Sequence, residues 1–302
     1  MRVERTIEIK APPERVFEAL ADYRTWTTWS PWLIAEPEAK VTVSSNPSSI
    51  GSSYTWAGQV TGEGRIEHKK LEPNCLIEDD LNFLKPFKSY AKVVFRLNPF
   101  HDGTKVSWSM DSSLPWFMFW MVGMMKTFIG MDYMRGLAML KEWIETRSIT
   151  SKSIVHGIVQ VGPVQMAGIA SSCAVDQVGQ SMEKAFGAAQ AEFKRLGIAM
   201  DGEMISVYTE FRIREGVFEY ISGYMIPAST RIPADSQLKV WSRPSGKAFR
   251  VEHAGSYRHL GNGWSVANQI ARSKKLKQDR SGTYEMYRTV PPTPEVELVI
   301  DI

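Results

Sequence analysis

Cysteine is scarce in this chain. Its two cysteines, Cys75 and Cys173, fall in different halves, which argues against a disulfide framework and makes a reducing compartment the expectation. Histidine is also sparse, with five in 302 residues. His253 and His259 have no cysteine or carboxylate at ligand spacing, so neither a metal site nor a cofactor is predicted. Charge of one sign is not in excess: 36 Lys and Arg against 33 Asp and Glu leave +3, too little to imply a nucleic-acid partner. No helix-turn-helix segment or basic recognition helix is present, so direct DNA contact is not expected. The basic run Arg272, Lys274, Lys275 and Lys277 reads as a solvated helix end favoured by the helix dipole. Long apolar runs are missing as well. The stretch SSLPWFMFWMVGMM (112–125) is uncharged for about 14 residues, short of the roughly 20 that a membrane span requires. The opening MRVERTIEIKAPPERV has no apolar segment of the signal-peptide kind, and a cytoplasmic protein is the expectation.

What is present is ordinary globular material: 43% hydrophobic and 23% charged residues, which fits soluble domains. A length of 302 residues predicts two domains at roughly 150 residues each. The polar run SITSKS (148–153) separates a helical pattern ending at Arg147 from a strand-like one starting at Ile154. It is the expected linker between domains 1–147 and 154–302.

In the first domain, Val3, Ile7 and Ile9 share one parity while Glu4, Glu8 and Lys10 share the other, which predicts a strand. Pro13 suits the first position of a helix whose apolar face is Val16, Phe17 and Leu20. An aromatic segment follows (Tyr23, Trp26, Trp29, Trp32). Turn signals between residues 40 and 112 divide about six antiparallel strands. A long helix is predicted from Trp116 to Arg147, with Phe117, Met121, Met124, Phe128, Met131, Leu137, Leu140 and Ile144 along one face. His68, next to Lys69 and Lys70, is expected at the surface, and Glu78, Asp79 and Asp80 at a solvated strand end.

This order of elements resembles the SRPBCC or START-like superfamily, in particular its polyketide cyclase/dehydrase and lipid-transport-like branch. The resemblance rests on IEIKAPPERVFEALADYRTWTTWSPW (7–32), the strand run, and LAMLKEWIETR (137–147). It implies an α+β helix-grip fold, an antiparallel sheet wrapped on a long C-terminal helix, with a cavity between them. Candidate lining groups are Tyr54, Trp56, Phe83, Phe95, Trp108, Trp120, Met121, Met124 and Met125; methionine adapts to irregular ligands. The competing reading is that these are core residues.

The second domain is written twice. QMAGIASSCAVDQVGQSM (165–182) and KAFRVEHAGSYRHLGNGW (247–264) follow one plan: strand, small-residue turn, then a Val-Gly or Leu-Gly step into a helix. Each helix is followed by a tyrosine-bearing strand and one more strand. Two β-α-β-β units in tandem predict a pseudo-twofold domain with a groove on its axis. The first helix is expected over 176–196 with Asp176 as N-cap and Gly197 as terminator.

Here VEHAGSYRHLGNGW (251–264) resembles the His-x-Gly-x-Tyr-x-x-x-Gly signature of the GyrI-like family, gyrase-inhibitor-like proteins and the effector-binding domains of AraC- and MerR-type regulators. The ending TYEMYRTVPPTPEVELVIDI (283–302) is similar to that family's close, except that Asp301 stands where a proline is usual. The resemblance implies a ligand pocket built from the carboxylate Glu297, the strand tyrosines Tyr287 and Tyr208, Trp264 on the second helix, and Tyr257. A carboxylate enclosed among Val296, Leu298, Val299 and Ile300 is costly unless paired, and desolvation would raise its pKa. With aromatic faces beside it, such a group suits an organic cation. Strand alternation alone would instead group Glu297 with Glu295 and Asp301 in solvent.

Three functions compete. The first is a protein that binds or senses a hydrophobic or cationic small molecule, linked to transcription only through a partner. The second is a hydrolase of electrophilic small molecules, with Glu297 as general base and Tyr287 as donor. The third is a gyrase-inhibitor-like interaction module. A homodimer and a separate regulator protein are the assemblies these readings leave open.

Overall fold

β1 (Arg2–Ile9) is the alternating strand at the start of the chain, with Val3 and Ile9 inside. Pro13 occupies the first turn of α1 (Pro13–Ala21), where its missing N–H costs nothing, and the helix buries Val16, Ala19 and Leu20. Asp22 accepts a hydrogen bond from the Arg24 N–H and so opens a 3₁₀ turn, Tyr23–Thr25. The short α2 (Trp26–Trp29) follows, and Tyr23, Trp26 and Trp29 are carried into the core. Six strands come next: β2 (Lys40–Val43), β3 (Ser53–Ala57), β4 (Glu63–Glu72), β5 (Leu76–Lys85), β6 (Ser89–Phe100) and β7 (Gly103–Ser112). They form one antiparallel sheet in the order β1-β7-β6-β5-β4-β3-β2.

This is a computed structural model; it describes residues 1–113, 116–278, 282–289 and 295–301, without the side chains of 116–118, 295, 297 and 301. The helix expected to run on from Trp116 starts later. A 3₁₀ turn covers Trp116–Met121, and α3 spans Val122–Thr146. α3 lies along β1: Lys141 Nζ donates to the Glu8 carbonyl, and the Lys10 N–H donates to Glu145, each at 2.7 Å. Its buried face, Tyr133, Leu137, Leu140 and Ile144, joins the sheet's core. Trp108 stacks between Phe95 at 5.0 Å and Tyr133 at 3.9 Å. A curved antiparallel sheet holding one long helix fits a helix-grip arrangement.

The chain divides into two units, Met1–Thr150 and Ser151–Ile302. The second contains β8 (Lys152–Val161), β9 (Val164–Ala174), α4 (Val178–Leu196), β10 (Met204–Arg212), β11 (Val217–Met225), β12 (Lys239–Arg243), β13 (Gly246–Ala254), α5 (Leu260–Ser273), β14 (Thr283–Tyr287) and β15 (Glu295–Asp301). The strands form a single sheet in the order β12-β9-β11-β10-β14-β15-β13-β8. Strand, helix, strand, strand describes both 164–225 and 246–301, and the two sets meet where β10 pairs with β14. The outer strands cross over: β8 precedes β9 in the chain but pairs with β13, while β12 precedes β13 but pairs with β9.

α4 buries Met182, Ala185, Ala189 and Phe193. The expected N-cap is corrected. Residues Val175–Gln177 form a 3₁₀ turn, Gln177 holds the N-cap position of α4, and no side chain caps it; Asp176 lies inside the turn. Gly197 ends α4 at φ +66°, left-handed backbone that a Cβ would strain. α5 comes close to the sheet at Gly263, where a Cβ would meet Leu298 Cδ1 at 2.4 Å.

Candidate functional site

Three hydrogen bonds converge on one buried carboxylate in the second unit. On β14, Thr283, Glu285 and Tyr287 share one parity, while Tyr284 and Met286 take the other and pack with Ile205, Val207 and Val299. Glu285 is fully buried. The Tyr208 hydroxyl, from the adjacent β10, donates to its Oε1 at 2.9 Å. The Trp264 indole N–H, from α5, donates to the same oxygen. The Tyr287 hydroxyl donates to Oε2 at 2.5 Å. A buried carboxylate without donors would be prohibitively costly, and these three supply the compensation.

Burial pushes the Glu285 carboxyl above the usual carboxylate range, with the three donors pulling against it. Burial also pushes the Tyr208 and Tyr287 hydroxyls well above the ordinary tyrosine value, and the neighbouring Glu285 adds to the effect. Both tyrosines therefore stay neutral donors.

An aromatic wall surrounds this carboxylate. Tyr208 meets Trp264 edge to face at 5.5 Å and Phe218 at 5.4 Å. Tyr287 meets Phe186 of α4 at 5.5 Å and Tyr257 at 6.0 Å. Tyr208, Phe218, Trp264, Phe186 and Tyr287 are half-buried, and Tyr257 is 39% exposed. The four aromatic residues expected at the site, Tyr208, Tyr257, Trp264 and Tyr287, are therefore close together.

The carboxylate they surround was not among those expected. Glu297 pairs through its backbone with Glu252 and Met286, and its side chain lies outside the described residues. Sequence reasoning passed over Glu285, although its position two residues before Tyr287, on the same strand parity, was a usable signal. Among the described residues no three His, Cys, Asp or Glu side chains group as a metal site.

The first unit holds a cavity of about 90 Å³ between sheet, α2 and α3. Trp56 and Trp108 line it, together with Trp26, Trp32, Phe83 and Tyr133. Phe95 is completely buried behind Trp108 and does not line it. Trp120, 55% exposed, and the half-buried Met124 do not line it either. Both belong to the start of the helical segment, where the chain turns 3₁₀ before α3.

Glu36 shapes the cavity's edge. It is buried and accepts hydrogen bonds from the backbone N–H groups of Gln59, Val60 and Thr61 and from the Thr61 hydroxyl, at 2.6 to 2.9 Å. Burial pushes this carboxyl up, but the four donors outweigh it and hold the group below the usual range. The β3–β4 turn, which brings Thr61 to the cavity, is thereby fixed.

His68 and Asp79 correct the expectation that they are solvated. Both are fully buried, with His68 Nδ1 2.5 Å from Asp79 Oδ1. His68 Nε2 lies 2.8 Å from the Ala21 carbonyl, which only accepts, so this nitrogen carries a hydrogen. Tyr23 stacks on the imidazole at 4.0 Å. Burial raises the Asp79 carboxyl, opposed by the bond to His68.

The cavity, the wrapped sheet and the long helix agree with the comparison to known families. Residues 1–145 match the polyketide cyclase / dehydrase and lipid transport family. Solved structures similar to this polyketide cyclase-like half include a Mesorhizobium loti protein, MLL2253, at 16% identity and TM-score 0.39, with 49% of this chain and 100% of that one covered. Another is TTHA0849 of Thermus thermophilus, at 18% identity and TM-score 0.38, covering 49% and 100%. A third is CV1439 of Chromobacterium violaceum, at 17% identity and TM-score 0.37, covering 48% and 96%. No curated protein matches the chain.

Proposed function

We propose that the chain binds small molecules at two places, and that the principal site is the aromatic cluster over Glu285. The observation that carries this reading is one buried carboxylate held by Tyr208, Trp264 and Tyr287. Neutral donors keep the negative charge in place, and the half-buried rings offer π faces to an organic cation or a flat hydrophobic molecule. We read the second unit as a duplicated, GyrI-like effector-binding domain. The GyrI-like signature at 251–264 and the strand order mirrored about β10 and β14 support that reading. Glu285 then takes the carboxylate role that the sequence assigned to Glu297.

The first unit contributes an apolar cavity. At about 90 Å³ it is smaller than the ~150 Å³ cavity known to accept benzene, so it suits a small or partly protruding apolar ligand. A role in transcription would need a partner that supplies the DNA contact. The test is a thermal-shift screen of the intact chain with quaternary ammonium and uncharged aromatic compounds. Stabilisation by a cationic aromatic compound that Glu285→Gln abolishes, while the variant keeps its native circular dichroism, is the predicted result. Equal stabilisation of both proteins would overturn it.

A further inference from the structure

One end of the first unit's sheet carries side chains that neither the cavity nor the core uses. The β5–β6 hairpin crosses over beyond its last paired residues, Phe83 and Ser89. There Leu84 is exposed and Phe87 is 80% exposed. β7 leaves the sheet at that same end, with Ser112 opposite Ala91. The turn that follows it exposes Phe119 (74%) and Trp120 (55%). α3 then runs back along β1: Lys126 and Thr127 share a surface pit with Arg2–Arg5, while Lys141 reaches Glu8 and Glu145 reaches Lys10. Followed backwards for roughly two turns from Lys126, the helical segment passes the first residue of β1. Phe119 and Trp120 therefore project from the sheet end, as Phe87 does.

The charge around these tips is basic. Lys85 is paired with Glu63, and Arg2 with Glu4. Lys88 and Lys126 are exposed, Arg5 is half-buried against Gly130 of α3, and the exposed Asp111 stands opposite Arg2. Projecting aromatics with exposed lysines beside them suit the headgroup region of a membrane. A protein partner would call for one continuous apolar patch; here the apolar groups sit on two separate tips with cations nearby.

We propose that this end of the first unit docks on a bilayer surface carrying anionic lipid. Phe87, Phe119 and Trp120 enter the boundary between headgroups and acyl chains, and Lys88 and Lys126 face the phosphates. The cavity-lining residues Thr61 and Phe83 belong to the same end, since Gly62 packs against the Lys85 carbonyl. Docking would bring the cavity's edge close to the lipid, whatever the cavity holds.

The test is co-sedimentation of the full chain with phosphatidylcholine vesicles, with and without phosphatidylserine. The protein should pellet with the serine-lipid vesicles and be released by salt. The exposed double variant Phe87→Ser/Phe119→Ser should bind at least roughly tenfold more weakly at an unchanged melting temperature. Wild-type protein left in the supernatant with both vesicle types would overturn the proposal, as would a double variant that pellets like wild type. A dimer in sedimentation velocity that Phe87→Ser splits would assign the tips to a second copy and overturn it too.

Discussion

At the scale of single residues, three buried acids are stabilised in different ways. Glu285 has three side-chain donors, Glu36 has a turn's backbone, and Asp79 has one histidine. Breaking the His68–Asp79 pair leaves a polar group stranded in the core. Asp79→Ala is predicted to cost about 3–5 kcal/mol by chemical denaturation. Removing Glu4 from the exposed Arg2–Glu4 pair should leave the denaturation midpoint almost unchanged. Glu36 makes stability depend on pH. Its folded pKa lies below its unfolded value near 4.5, so its contribution is complete above that value and is lost as pH falls through the folded pKa. The denaturation midpoint should therefore drop as pH falls below about 4.5, and by less in Glu36→Gln, whose side chain does not titrate. Identical pH profiles for the two proteins would remove this role from Glu36.

At the scale of elements, much was legible and the failures have causes. β1 follows alternation, and α4 follows its stripe of Met182, Ala185, Ala189 and Phe193. His68 and Asp79 were misread because charged neighbours, Lys69 and Lys70 or Glu78 and Asp80, dominate the local text. Parity carried the right answer: Ile66 and His68 share one face of β4, and Ile77, Asp79 and Leu81 share one face of β5. Glu285 was hidden for another reason: the family resemblance places the pocket carboxylate on the last strand, at Glu297. No periodicity argument could show where the 3₁₀ turn at Trp116–Met121 gives way to α3. The contact between α5 and β15 gives a prediction at this scale. Gly263→Ala places a methyl group against Leu298, pushes α5 outward and takes Trp264 with it. A loss of about 1–3 kcal/mol is expected, together with weaker binding of any ligand that uses Glu285. Unchanged stability would show that the helix has room to spare over Leu298.

At the scale of the whole molecule, each unit has its own sheet, helices and buried clusters. Calorimetric unfolding should resolve two transitions, with Asp79→Ala lowering one and Gly263→Ala the other. A single transition lowered equally by both variants would mean that the two cores melt together. The central claim concerns the second unit, where a carboxylate that the sequence analysis did not single out anchors an aromatic site. Isothermal titration of a benzyltrialkylammonium ion into the intact protein and into its Glu285→Gln variant tests it most directly. Binding at one site to wild type, weakened at least roughly tenfold in the variant, is what the account predicts. Indistinguishable affinities in the two proteins, or no heat from either, would contradict it.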